Sequence, residues 1–144
     1  MHRFLTGPQG QELPVGYRWL VLKEFVDFGP WYMIEEQEQA EAYRREWLCE
    51  IAPPNTSSLE DWFPFAHKRV YHEFAGFVIK DGQVTPEVMV IHLTFTHRPE
   101  LPSHPSMQRF RSIWSWLRAE VVPALEKWVD EEKVKKLLEE HVDQ

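Results

Sequence analysis

The chain reads as one α+β domain: a central antiparallel β-sheet flanked by helices, with a long C-terminal helix kinked near Pro123. Three observations predict this class. Asp81-Gly82 separates two apolar runs, residues 70–80 and 83–96, and such a pair supplies the positive φ angles that a two-residue type I′ hairpin turn needs. Phe110, Ile113, Trp114, Leu117, Val121, Leu125 and Trp128 recur at helical spacing in the last third. The 144 residues are 43% hydrophobic and 14% aromatic, enough for one core and within the usual length of one domain.

Residues 1–12, with Gly7, Pro8 and Gly10, form an irregular lead-in. Leu13-Pro14 opens the first helix, because proline is tolerated where the helical N–H would be unpaired anyway. Val15, Trp19, Leu22 and Val26 make one stripe, widened by Tyr17, Leu20, Val21, Phe25 and Phe28. That width predicts a helix buried over much of its girth, stopped by Gly29-Pro30. Trp31-Tyr32-Met33-Ile34 is a short strand. Residues 35–49 lack Gly and Pro and are rich in Glu, Gln, Ala and Arg, which suits a surface helix held to the core by Ala40, Tyr43, Trp47 and Ile51.

Residues 53–58 are a loop by composition. Trp62-Phe63-Pro64-Phe65-Ala66 is apolar but broken by proline, an edge strand or a packed extended segment. The hairpin over residues 70–96 forms the structural centre. Its turn opposes residues whose numbers sum to 163: Ile79 to Val84, Ala75 to Val88, Tyr71 to His92. One face then carries Tyr71, Ala75, Phe77, Ile79, Val84, Val88 and Val90, and the other Phe74, Val78, Met89, Ile91 and Leu93. Two apolar faces predict cover on both sides, and Pro86 demands a bulge or an edge. Residues 97–105 hold three prolines and form a loop. Ser106 is the expected N-cap of the last helix, which Pro123 kinks or divides.

The charge balance narrows the function classes. Net charge is −7, and segments 35–50 and 119–144 each carry −4. Such a surface repels phosphate backbones and attracts basic partners, so direct nucleic-acid binding is disfavoured. No apolar run reaches the roughly 18 residues of a membrane span, and the first residues lack the apolar stretch of a signal peptide. The one cysteine, Cys49, suits a reducing compartment, so a cytoplasmic location is expected.

Five histidines lie between His67 and His104. His67 and His72 are five apart, as are His92 and His97, a spacing that sets neither pair on one face of a helix or a strand. No zinc-finger spacing and no His-Glu-x-x-His exist, so no metal site is expected. His92-Leu93-Thr94-Phe95 is similar to one half of the two-histidine phosphoesterase signature, and that chemistry needs two copies. The other near match, His104-Pro105-Ser106-Met107, lies in a proline-rich loop. Cys49 sits among Glu46 and Glu50 at a helix end, where its thiolate is disfavoured. Glu73 and His92 lie diagonally across the hairpin, a polar contact in the first instance. Trp31, Tyr32 and Trp116 lie off the main stripes, and an exposed aromatic there would anchor a partner.

The order of elements resembles the SUKH superfamily. The similarity rests on Leu13-Pro14-x-x-Tyr17 opening a helix that ends at Gly29, the apolar strand directly after it, and Trp62-Phe63-Pro64-Phe65-Ala66 before the central strands. The Asp81-Gly82 turn and the late Phe110-x3-Trp114-x-Trp116-Leu117 helix match in kind. The resemblance covers about residues 13–118; the helix over residues 119–142 extends beyond it, and His67-Lys68-Arg69 stands where the family often has Gly-Asp-type residues. It implies an α+β fold and a non-enzymatic bacterial immunity protein that binds and neutralises a cognate toxin, or a related regulatory binding module. No cofactor is implied. Many such toxins are basic nucleases, which an acidic inhibitor suits. Charge alone then selects Glu35, Glu36 and Glu38 as partner-binding residues. The alternative is a small phosphodiester-processing enzyme using His92 and Thr94.

Overall fold

The structure, a computed structural model, describes residues 4–46, 61–69, 73–92 and 106–142. Its elements run α1 (Val15–Leu22), β1 (Trp31–Met33), α2 (Gln37–Glu46), β2 (Asp61–Lys68), β3 (Glu73–Lys80), β4 (Gln83–His92), β5 (Ser106–Phe110), α3 (Ile113–Trp116), a π turn (Leu117–Val121) and α4 (Val122–Val142). The five strands form one antiparallel sheet in the order β1-β2-β3-β4-β5. The α+β arrangement and its long C-terminal helix are as the sequence predicts.

The sheet has two covered faces. Ala75, Phe77, Ile79, Val88 and Val90 join Tyr17, Leu20, Trp31, Phe63, Ile113 and Trp116 in the larger core. Phe74, Val78, Met89 and Ile91 join Trp62 in a smaller one, with Tyr43 of α2 against it. The predicted partition of the hairpin's two faces holds for every described residue; Tyr71 and Leu93 lie outside the described residues.

The register holds only near the turn. Lys80 opposes Gln83 and Ile79 opposes Val84, and then the pairing shifts so that Phe77 faces Val88, Ala75 faces Val90 and Glu73 faces His92. The shift spans Pro86, which has no N–H for the ladder. Ala75 therefore faces Val90, two residues from the Val88 that an unbroken ladder predicts.

The structure departs from the sequence expectation at four local features. First, α1 ends at Leu22, not near Gly29. Glu24 takes φ 63°, its N–H bonds to Val21 O and the Phe25 N–H to Leu20 O, a Schellman stop with a glutamate in the position glycine usually holds. Second, α1 is not buried around its girth: Tyr17, Leu20 and Val21 face inward, whereas Val15 is 72% and Leu22 69% exposed. Third, β2 is second in the sheet and not an edge. Yet β1 pairs only with Ala66 to Lys68, so Pro64 lies past the end of β1, and a bulge between Pro64 and Ala66 keeps both Phe65 and Ala66 in the larger core. Fourth, Ser106 begins a strand; the helix starts at Ile113, capped by Ser112, whose Oγ accepts from the Ser115 N–H at 3.3 Å.

The C-terminal helix changes pitch before Pro123. Residues 117–121 form a π turn and α4 follows directly, so the irregularity expected at the proline sits one turn upstream, as π turns commonly do where the regular ladder is interrupted. No helix among the described residues is long and apolar enough to cross a membrane.

Candidate functional site

An exposed aromatic surface arises where α1 meets α3. Gly16 makes the close approach: a Cβ there would lie 2.9 Å from Ile113 Cγ2 and 3.0 Å from Trp114 Nε1. Inward, the Tyr17 hydroxyl donates to Phe4 O at 3.1 Å, and its ring packs edge-on against Phe65 and Phe77. With that side of α1 occupied, Val15, Trp19 and Leu22, spaced at i, i+4 and i+7, face outward. Trp19 is 47%, Phe25 53% and Trp114 48% exposed. Their rings form a continuous run: Trp19 lies 5.8 Å from Phe25 and 6.3 Å, edge-on, from Trp114. A large exposed apolar patch marks an interaction surface more often than a solvated one, and Trp supplies contact energy at interfaces out of proportion to its number.

A second feature is a cleft of about 550 Å³ between the Asp27–Pro30 turn, the end of β2 and the start of α4. Arg69 lines it. It pairs with Asp27 at 2.8 Å, donates through Nε to Gly29 O at 2.8 Å, and lies over the Tyr32 ring at 4.6 Å. Trp128 walls the other side, packed so closely on Gly29 that a Cβ there would come within 2.8 Å of its ring.

From Arg69 a polar-aromatic strip runs over the second face. Tyr32 and His67 are hydrogen-bonded at 2.8 Å, His67 stacks on Phe74 at 4.4 Å, and Tyr43 packs against Phe74 at 4.6 Å. Burial holds the Tyr32 phenol above its ordinary pKa of 10.0; Tyr43 adds to the rise and Arg69 opposes it. His67 is thus a packed, hydrogen-bonded histidine, and among the described residues no group of three metal-ligating side chains converges.

Glu35, Glu36 and Glu38 are exposed at the start of α2. The helix N-terminus favours their charge, and α2 itself is anchored by buried Ala40 and by a bidentate Arg44–Asp61 pair with Nε to Oδ1 at 2.9 Å. The Asp61 hydrogen bonds raise the Arg44 pKa against the opposing effect of burial. Among the expected aromatic anchors, Trp31 and Trp116 are fully buried and Tyr32 is half-buried, so Trp31 and Trp116 belong to the core. The aromatic surface falls instead on Trp19, Phe25 and Trp114, which their helical spacing had assigned to the core.

Glu73 faces His92 directly in the strand pairing, and its carboxylate meets Lys68 at 3.3 Å. The His92 side chain, together with Cys49, His72, Thr94, His97 and His104, lies outside the described residues. No protein-family model matches this chain, and no curated protein and no solved structure matches it.

Proposed function

We propose that this protein is a non-enzymatic protein-binding module whose partner docks on the α1–α3 aromatic face. The observation that carries the reading is the run Phe25–Trp19–Trp114 with Val15 and Leu22 beside it, large apolar side chains left 47% to 72% exposed next to a well-filled core. Following the resemblance to the SUKH superfamily, the partner is a toxin that this chain neutralises. Its net charge of −7 favours a basic one, such as a nuclease, by steering encounter and complementing a phosphate-binding cleft. Glu35, Glu36 and Glu38 supply part of that charge at the exposed start of α2.

The test pairs this chain with the product of any toxin gene found beside its own. Co-expression rescues growth, and titration calorimetry gives a tight complex that weakens as salt rises. Trp19→Ser with Phe25→Ser abolishes rescue while leaving the unfolding midpoint nearly unchanged, since both side chains are half exposed. Absence of any complex, together with phosphodiester hydrolysis lost in His92→Ala, would establish the enzyme reading in its place.

A further inference from the structure

We propose that α4 is a self-association surface on which a second copy of this chain docks antiparallel, helix against helix. The inference is independent of the toxin-binding reading and uses a different face.

Beyond Glu131, which still lines the cleft beside Arg69, α4 leaves the domain. Every residue from Glu126 to Glu139 is exposed, including Val134 at 56%, Leu137 at 55% and Leu138 at 61%. A helical stretch of this length is only marginally stable in water unless a face is covered. One side of α4 from Pro123 to Leu138 presents the apolar Val134 and Leu138 flanked by the charged Lys127, Glu131 and Lys135.

Those charges are ordered in blocks. Asp130, Glu131 and Glu132 precede Lys133, Lys135 and Lys136. A parallel second helix would set acid on acid and base on base. An antiparallel one reverses the order, so the acidic block of each copy meets the basic block of the other. With paired residue numbers summing to 266, Glu131 faces Lys135 of the second copy, and the two-fold axis repeats the contact, as an isologous interface requires. The same register sets the two Val134 side chains on either side of the axis and lays each Leu138 along the Lys127 stem of the other copy. The acid-before-base order also suits a lone helix through its dipole, but that effect does not call for exposed Val134 and Leu138 between the charges. One helix pair buries less than the roughly 800 Å² per partner of a standard interface, so the dimer is weak.

Sedimentation equilibrium of the full chain at low salt, from about 5 to 500 µM, reads the association directly. The mass doubles toward the upper end. Glu131→Lys sets like charges together at both symmetric contacts and moves the midpoint upward by about tenfold or more. Glu131→Lys combined with Lys135→Glu restores the pairing and the wild-type midpoint. Circular dichroism of each variant separates lost helix from lost association. A monomer at every concentration overturns the proposal. So does a dimer indifferent to Glu131→Lys, or one that Trp19→Ser dissolves, which would place the contact on the α1 face.

Discussion

Gly76 shows how tightly single atoms are specified in this sheet. It faces Pro64 on β2 and Met89 on β4, and the Trp62 indole lies across it, donating to Met89 O at 3.0 Å. A Cβ at Gly76 would overlap the indole and lie 2.7 Å from Phe63 O. Backbone cannot move aside without breaking the ladder, so Gly76→Ala is expected to cost about 3 kcal/mol as an overpacking change, read as a lower urea midpoint at unchanged slope. Tyr32 yields a pH prediction. Its folded pKa is raised above 10.0, so the unfolded chain gives up that proton first as pH rises. The stability Tyr32 contributes is therefore complete below pH 10 and is lost as pH climbs through the raised folded value. Tyr32→Phe should flatten the fall in stability above pH 10 and remove one late-titrating phenol from the ultraviolet titration, a result that would fail to appear if the phenol were freely solvated.

At the scale of elements, α3 sorts neighbouring tryptophans into different roles. Trp116 is fully buried, edge-on to Trp31 at 5.3 Å and to Phe65 at 5.2 Å, whereas Trp114 is 48% exposed. Trp116→Ala should cost about 4 kcal/mol, and Trp114→Ala well under half of that. Trp116→Phe should be nearly tolerated, because the buried Trp116 indole N–H has no acceptor among the described residues and the phenyl ring removes that donor while keeping most of the volume. Chemical denaturation of the three variants checks the order. Of the stripe Phe110 to Trp128, the part from Ile113 onward is helical, whereas Phe110 ends β5. The π turn over Leu117–Val121 rotates Leu125 and Trp128 away from the side that constant pitch assigns them, while Trp114, ahead of that turn, is exposed beside its buried neighbour Ile113.

For the whole molecule, the legible part was the part dictated by alternation. Along β3 and β4, Phe74, Val78, Met89 and Ile91 alternate with Ala75, Phe77, Ile79, Val88 and Val90 between the two cores, because period two leaves one partition between two faces. The α1 stop was not legible, because Glu24 takes the left-handed conformation where glycine would have announced it. Nor was the aromatic face: Val15, Trp19 and Leu22 have the spacing of a core stripe, and only Gly16 docked on Ile113 and Trp114 decides which side turns inward. The exposed acidic start of α2, by contrast, was readable from composition alone. The sheet order has a kinetic consequence. Each strand pairs only with its neighbours along the chain, so the ladder can grow from the Asp81-Gly82 turn outward, closing one modest loop at a time and never waiting on contacts between distant ends. Folding would then begin in β3 and β4 and spread to β1 and β5, leaving the two outermost strands the last to form and the first to open.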